Sequence, residues 1–411
     1  MKLAFALSVS LLSAAVVAAP SVQNVSVDCS KAPNVKVTYK LTDDAVVTVK
    51  FLNNGVEIPA EKTTRLVGDV CRKVKATGEG EVRTLYWASD LEEWAEADIR
   101  TFASLTCEVT AWATNAPPIY MVADLETKSN VTFYASKTAV PGGITNDIYK
   151  TKKMIFRKIP AKEVVWNMAC SARTSDGCPD AVEHAVVLSD DYYIGIYQVT
   201  QKQNSLGAGN NGYYGLTFTD SDVRPCAGIS YANVMGSSTA MSPTAESWIG
   251  KFRAHTGIES LNLPTEAQWE YACRAWTTTM WYNGNTWGAN GSAKISWTSS
   301  NLAKEDGDKG SRTYPQKVGT RDPNSWDLYD MAGNVFEYCL DWYDAYAFTD
   351  KDEAVRNPLQ TVQPSSNNRV RRGGGFANDY RYGNTSWRTS VSYTSSGYDN
   401  GYRMVSAAIA Y

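Results

Sequence analysis

The pattern of apolar residues changes near residue 140, and this change divides the chain into two parts. Before it, the segments NVKVTYKL, VVTVKFLNNGVEI and LTCEVTAW alternate apolar and polar residues. Such alternation is typical of half-buried β-strands, and Asn54-Gly55 is a hairpin turn signal. The sequence therefore predicts an all-β sandwich of immunoglobulin or fibronectin type over residues 20–135. A linker over residues 136–152 follows, marked by Pro141-Gly142-Gly143.

Residues 153–411 show few periodic runs, although glycine, asparagine, serine and tyrosine are frequent there. One helix is predicted in SPTAESWIGKFRAHTG, with Ser242 as its N-cap and Gly257 as its stop signal. A second is predicted in LPTEAQWEYACRA, where Thr265 and Gln268 have the spacing of a capping box. We therefore predict an α+β domain with much ordered loop, and long ordered loops in compact domains are usually functional.

The first 19 residues have the features of a secretory signal peptide. Lys2 supplies the positive charge, Leu3 to Val17 form the apolar stretch, and small residues follow at Ala18 and Ala19. We expect cleavage near Ala18 or Ala19 and a periplasmic or secreted mature protein. No later stretch is long and apolar enough to predict a membrane span.

Charge and cysteine content narrow the partners and metals that the chain is expected to bind. The net charge is -3 with interspersed signs, so no nucleic-acid partner is expected. Eight cysteines without a CxxC pair, together with only two histidines, predict disulfides rather than zinc. Cys170 with Cys178 and Cys273 with Cys339 are the pairs we predict, although the sequence does not fix the connectivity.

Five motifs follow one another in the second part of the chain. They are EHAVVLSDDYYIGIYQVTQ, LPTEAQWEYACRA, LYDMAGNVFEYCLDWY, RVRRGGGFAND and GYRMV. The series resembles the formylglycine-generating enzyme family, also called the sulfatase-modifying factor family, over about residues 153–411. The resemblance implies a loop-rich variant of the C-type lectin-like fold. It also implies an activity, because the family's enzymes use copper and oxygen to oxidise a sulfatase cysteine to formylglycine.

The chain departs from this family at the positions that carry the chemistry. The family's two active-site cysteines lie five residues apart, just after the RGG motif. Aligning Arg372-Gly373-Gly374 with that motif places Asn378 and Gly383 there, and neither supplies the thiolate that Cu(I) requires. The iron-dependent sulfoxide synthases of the same fold need several histidines, and His184 and His255 are too few. We therefore expect no copper or iron site, and the alternative is an oxidase with a non-standard metal site.

The resemblance also implies a structural calcium site around AGNVFE. Asp330 and Glu337 would supply carboxylates, and Gly333 and Val335 would supply backbone carbonyls. Hard oxygen ligands along an irregular loop suit the high and flexible coordination of calcium. The alternative is that the two carboxylates only cap a turn. Gln198 lies where many relatives carry glutamate, and its role is left open.

The segment after the glycines is rich in tyrosine, asparagine, serine and tryptophan, a composition typical of adaptable binding surfaces. In place and composition it resembles the variable region of retroelement-diversified lectin-fold proteins. The residues predicted to bind a ligand are Phe376, Asn378, Tyr380, Tyr382, Asn384, Tyr398 and Asp399. The alternative is that they pack the loop core, as Trp387, Arg388 and Arg403 are expected to do. The sequence thus predicts a secreted, non-oxidase family member that binds a protein or a glycan.

Overall fold

A computed structural model describes most of the chain. The described residues are 19–31, 33–92, 104–170, 182–210, 212, 220–286, 291–302, 314–344 and 353–411. Residues 1–18 of the predicted signal peptide lie outside them. Within these ranges, no helix is both long and apolar enough to cross a membrane.

The N-terminal part is all β, as its alternating segments predict. Its strands are β1 (Val22–Asp28), β2 (Asn34–Leu41), β3 (Ala45–Asn53), β4 (Val56–Glu57), β5 (Leu66–Gly68), β6 (Lys73–Val74), β7 (Arg83–Ala88) and β8 (Leu105–Ala113). One sheet has the order β1-β2-β7-β5, and in the other β3 pairs with β4, β6 and β8. Both sheets contribute to one core, in which Phe51 stacks on Trp87 with ring centroids 4.6 Å apart. The immunoglobulin or fibronectin type stays a prediction.

The C-terminal part combines short strands with four α-helices in the described residues. Its strands are β9 (Tyr120–Asp124), β10 (Val131–Tyr134), β11 (Lys153–Ile159), β12 (Val165–Met168), β13 (His184–Val187), β14 (Tyr192–Gly195), β15 (Ser296–Trp297), β16 (Ala332–Gly333), β17 (Phe336–Trp342), β18 (Val355–Arg356), β19 (Asn368–Arg372), β20 (Arg388–Ser392), β21 (Asn400–Gly401) and β22 (Val405–Ala407). The helices are α1 (Gln201–Ala208), α2 (Tyr231–Met235), α3 (Trp248–Thr256) and α4 (Glu266–Arg274).

Two sheets organise this part of the protein. The first has the order β10-β9-β11-β14-β22, so it joins early strands to the last strand of the chain. The second has the order β20-β19-β17-β21 and carries the RGG motif at the end of β19. Further short pairings link β12, β13 and β18, and β15 pairs with β16. Short strands separated by long connections agree with the predicted α+β, loop-rich domain.

Sheet membership does not follow the domain boundaries that the sequence predicts. β9 and β10 fall within residues 20–135, yet β9 pairs with β11 along five residue pairs, from Lys153 opposite Asp124 to Arg157 opposite Tyr120. The predicted linker 136–152 contains side chains that are buried in the C-terminal core, including Val140 and Tyr149. The C-terminal unit therefore reaches back to Tyr120, because alternation reveals a strand but not the partner with which it pairs.

Local signals gave one helix start correctly and one incorrectly. α4 begins after Thr265, whose hydroxyl accepts the Gln268 N–H while the Gln268 side chain accepts the Thr265 N–H, which confirms the capping box. α3 begins after Ser247 rather than after Ser242, because Ser247 Oγ accepts the Gly250 N–H at 3.0 Å. α3 ends at Gly257, as predicted, with a φ of 75°.

The prediction of disulfides is wrong for most of the cysteines, since Cys29, Cys71, Cys107 and Cys226 are free thiols in the described residues. The predicted pair of Cys273 and Cys339 is wrong as well. Cys273 on α4 and Cys339 on β17 are both free thiols in the described residues. The sulfur of Cys273 lies instead 3.6 Å from the carbonyl oxygen of Met331. Cys178 lies outside the described residues, so its pairing with Cys170 stays a prediction.

Candidate functional site

A tight glycine turn follows β19 and forms the base of the candidate site. Gly373 and Gly374 have positive φ values of 89° and 77°, which glycine adopts without the steric cost of a side chain. A Cβ on Gly374 would lie 2.8 Å from the carbonyl carbon of Tyr382 and 2.9 Å from the backbone nitrogen of Gly383. The absence of a side chain at Gly374 therefore allows the segment at Tyr382 and Gly383 to pack directly against the RGG motif.

The two positions that align with the family's cysteines offer no soft ligand. Gly383 is buried against Ala332, and Asn378 is half-buried. Burial raises the pKa of Cys273 to about 12 and also raises the pKa of Cys339, so both thiols stay protonated. Within the described ranges, no group of three or more His, Cys, Asp or Glu side chains is arranged to hold a metal ion.

Asn378 leaves a hydrogen-bond acceptor unused at this site. Its Oδ1 is buried and has no hydrogen-bond partner in the described part of the chain. A Cβ on Gly375 would lie 3.0 Å from this oxygen and 3.3 Å from Oδ2 of Asp399, so the two oxygens flank the same glycine. Buried polar atoms are normally hydrogen-bonded, so this oxygen would gain a partner only where a small movement of the Asn378 side chain exposed it to a donor on a ligand.

Aromatic pairs hold the half-buried tyrosines of the site in fixed positions. The ring of Tyr382 meets Phe336 edge-on at 6.1 Å and Trp387 at 5.0 Å, centroid to centroid. The ring of Tyr380 lies 5.9 Å from that of Trp281. Neither Phe336 nor Trp281 was singled out from the sequence, because each belongs to a segment distant from the predicted binding loop.

Tyr398 is the most exposed of the predicted ligand-binding residues, and a buried ring supports it. Its side chain is 49% exposed and lies edge-on to Phe376, with ring centroids 5.8 Å apart. Phe376 itself is fully buried in a small cluster with Trp297 and Leu302. Tyr398 can therefore present a face to a ligand while Phe376 fixes its position.

Exposure divides the seven residues predicted to bind a ligand into three groups. Tyr398 is exposed, Asn378, Tyr380 and Tyr382 are half-buried, and Phe376, Asn384 and Asp399 are buried. The buried members have structural contacts: Asn384 Oδ1 accepts the Ser386 N–H at 2.9 Å, and Asp399 pairs with Arg371 at 3.3 Å. The structure therefore brings the predicted residues into one region but turns three of them inwards.

Buried ion pairs connect this region to α4. Arg372 pairs with Glu270, and Arg388 holds both oxygens of Glu266 at 2.9 and 2.6 Å. Arg403 is fully buried. Of the three residues expected to pack the loop core, Arg403 is buried there, whereas Trp387 and Arg388 are half-buried.

The residues predicted to bind calcium do converge, but they converge on a side-chain amide. Nε2 of Gln198 lies 3.2, 3.4 and 3.0 Å from the carbonyl oxygens of Asp330, Gly333 and Val335, respectively. It also lies 3.0 Å from Oε1 of Glu337. We call these four oxygens the oxygen cradle. The nitrogen of Gln198 occupies the point that they share.

The carboxylates that were expected to bind calcium have other partners. Oδ2 of Asp330 accepts the Gly319 N–H at 2.7 Å, and burial raises the pKa of Asp330 to about 6. Oε2 of Glu337 accepts the indole N–H of Trp269 at 2.6 Å, and Arg403 donates to both of its oxygens. The arrangement differs from the expected ligand set, because Asp330 contributes its backbone carbonyl rather than its carboxylate and the Glu337 carboxylate is already paired with an arginine.

The loop-rich α+β fold agrees with the family resemblance that the five sequence motifs carry. The family described as "Sulfatase-modifying factor enzyme 1-like domain" matches residues 157–408, which is more than half of the chain. This chain belongs to that family.

The chain is similar to several proteins that have different names. It is 25% identical to "Chaperone protein LppX" of Paenibacillus barcinonensis, over 53% of this chain and 81% of the relative. It is 27% identical to a formylglycine-generating enzyme of Thermomonospora curvata, over 53% of this chain and 62% of that enzyme. Among solved structures, "Treponema denticola variable protein 1" is 24% identical with a TM-score of 0.47, covering 62% of this chain and 95% of that one.

Proposed function

We propose that this protein is a non-oxidase member of the sulfatase-modifying factor family that binds a protein or glycan through residues 376–399. The observation that carries the proposal is the replacement of both copper-binding positions, by Asn378 and Gly383. The thiols of Cys273 and Cys339 do not substitute for them, since burial keeps both protonated. An oxidase with a non-standard metal site remains the alternative. The thiols of Cys273 and Cys339 are evidence against it, because Cu(I) requires thiolates and both thiols are protonated.

The chemistry of the surface supports binding of a ligand with both apolar and polar groups. Tyr398, Tyr380 and Tyr382 are partly exposed rings held by other aromatic side chains, so they supply contact area at low entropic cost. The unused Oδ1 of Asn378 adds a buried acceptor beside them. Aromatic faces next to amide groups are suited to stacking against a sugar ring or a peptide side chain.

The remaining parts of the proposal concern location and the N-terminal unit. We place the mature protein in the periplasm or outside the cell, on the basis of its predicted signal peptide. We propose that the all-β unit is an immunoglobulin- or fibronectin-like spacer, since no catalytic cluster was identified in its sequence. The mass of the exported protein tests the first point, because cleavage near Ala18 or Ala19 fixes its new N-terminus.

The binding proposal is tested with a glycan array and a panel of purified extracellular proteins. If the wild-type protein binds a member of either panel, Tyr398→Ser and Asn378→Ala should each raise the Kd at least about tenfold, because each removes one good contact. Tyr86→Ser is the matched control, because Tyr86 is 43% exposed on β7 of the N-terminal unit. Equal binding by all three variants would place the ligand elsewhere, and no binding to either panel would contradict the proposal.

A further inference from the structure

We infer that Gln198 replaces a metal ion: its side-chain amide is the permanent occupant of the oxygen cradle, and the fold of residues 330–337 is therefore independent of calcium. Gln198 is fully buried, so its amide lies in the interior of the fold. The inference concerns the stability of the fold and does not depend on which ligand the protein binds.

The dimensions of the cradle fit an N–H group. Its four oxygens lie 3.0–3.4 Å from Nε2 of Gln198, which is the range of N–H···O hydrogen bonds and their longer, shared forms. Calcium–oxygen distances are shorter, about 2.3–2.6 Å. A cation could enter only if the amide left and the loop contracted. The amide NH2 group thus takes over part of the task of a cation, because its two hydrogens place positive partial charge among the four acceptors, which share them.

The orientation of the amide follows from the same contacts. Oε1 of Gln198 is buried and has no hydrogen-bond partner within the described ranges. Without a cation in the cradle, turning the amide over would direct this oxygen at four other acceptors with no proton between them, which is worse than leaving it unpaired. A bound calcium ion would reverse this preference, and the test below separates the two cases. The nitrogen therefore points inwards, and the unpaired Oε1 is the cost of filling the cradle without a metal.

The cradle supports the proposed binding surface directly. Gly333 donates its N–H to the Gly373 carbonyl at 2.6 Å, within the RGG turn. The Phe376 N–H donates to the Asn334 carbonyl at 2.7 Å, and the Phe336 N–H donates to the Asp399 carbonyl at 2.8 Å. These bonds tie residues 333–336, which line the cradle, to both ends of the loop segment from 373 to 399. A chelator should leave this arrangement intact.

The test compares Gln198→Glu with the wild-type protein in thermal unfolding, with EGTA or with about 1 mM calcium. The wild type should show the same Tm in both buffers and no calcium by elemental mass spectrometry. Gln198→Glu keeps the shape of the side chain but directs a carboxylate at four acceptors, so its Tm should fall in EGTA. Calcium should then bind between the carboxylate and the cradle and raise that Tm by at least about 5 °C.

Gln363→Glu is the matched control, because Gln363 is exposed and its replacement changes the net charge by the same amount. Its Tm should not respond to calcium. Recovery of Gln198→Glu only in calcium-containing buffer would also support the inference. A wild-type protein that holds about one equivalent of calcium would overturn it, and so would a Gln198→Glu variant as stable as the wild type in EGTA. If Gln198→Glu cannot be purified in either buffer, the calcium content of the wild type decides whether the inference holds: no calcium supports it, and about one equivalent overturns it.

Discussion

Replacing Glu337 by glutamine removes one charge from the interior of the C-terminal unit. Glu337 is fully buried on β17 and accepts the Trp269 indole N–H at 2.6 Å. Arg403 donates to it twice, from Nε at 3.0 Å and from Nη2 at 2.9 Å. The carboxylate thus joins α4, the oxygen cradle and the C-terminal GYRMV motif, and its loss should destabilise all three together.

The magnitude follows from the burial of both partners. Arg403 is also fully buried, so Glu337→Gln leaves a guanidinium without a counter-charge. The NH2 group of the new glutamine also replaces an oxygen that accepted hydrogen bonds, so its hydrogens must face N–H donors. Breaking a buried ion pair from one side costs about 3–5 kcal/mol of unfolding free energy. The expected loss is therefore a large fraction of the stability of an ordinary domain.

Glu163 provides a matched control for this measurement. It also pairs with an arginine through both oxygens, at 2.7 and 2.8 Å from Arg356, but its side chain is 53% exposed. Solvent screens this pair, so Glu163→Gln should leave the unfolding free energy almost unchanged. Urea unfolding at pH 7, followed by tryptophan fluorescence, measures both variants. Equal urea midpoints for Glu337→Gln and Glu163→Gln would refute the reasoning. Burial would then not determine how much unfolding free energy the loss of an ion pair costs.

Two further predictions concern titratable groups in the core. Burial and the negative charge of Glu266 raise the pKa of Asp341 to about 7, while its pKa in the unfolded chain is about 4. Its contribution to the unfolding free energy is complete below about pH 4 and is lost as the pH rises through about 7. Asp341→Asn should therefore flatten the fall in unfolding free energy between about pH 4 and 7. Cys273 and Cys339 are buried free thiols, so iodoacetamide should not label them in the folded protein. It should label both once the protein is denatured, even when no reductant is added. A disulfide between them would leave both unlabelled under that condition.

Features that depend on neighbouring residues were predictable from the sequence. The capping box of Thr265 and Gln268 needs only a four-residue segment, and the structure has it. The alternating segments of the N-terminal part are strands for the same reason. The start of α3 was wrong by five residues, from Ser242 to Ser247, since both serines precede the same apolar run and the sequence does not rank them.

Features that depend on contacts between distant segments were not predictable. β9 is a short apolar run that follows the alternating strands, and only its pairing with β11 on one side and with β10 on the other assigns the two strands to the C-terminal unit. Composition grouped Phe376 and Asn384 with Tyr398, but the fold buries the first two and exposes the third. The role of Gln198 was missed because its partners lie more than 130 residues later. The only signal in the sequence was a glutamine at a position where the resemblance leads one to expect glutamate in many relatives.

The central claim is that this family member does not perform the family's oxidation, and conversion of a peptide substrate tests it most directly. The purified mature protein is incubated with Cu(I), oxygen and a peptide that carries a sulfatase cysteine motif, beside an active formylglycine-generating enzyme. Because Asn378 and Gly383 replace the two cysteines, we expect no retained copper after desalting and an unchanged peptide mass. Stoichiometric copper together with formylglycine in the peptide would contradict the account.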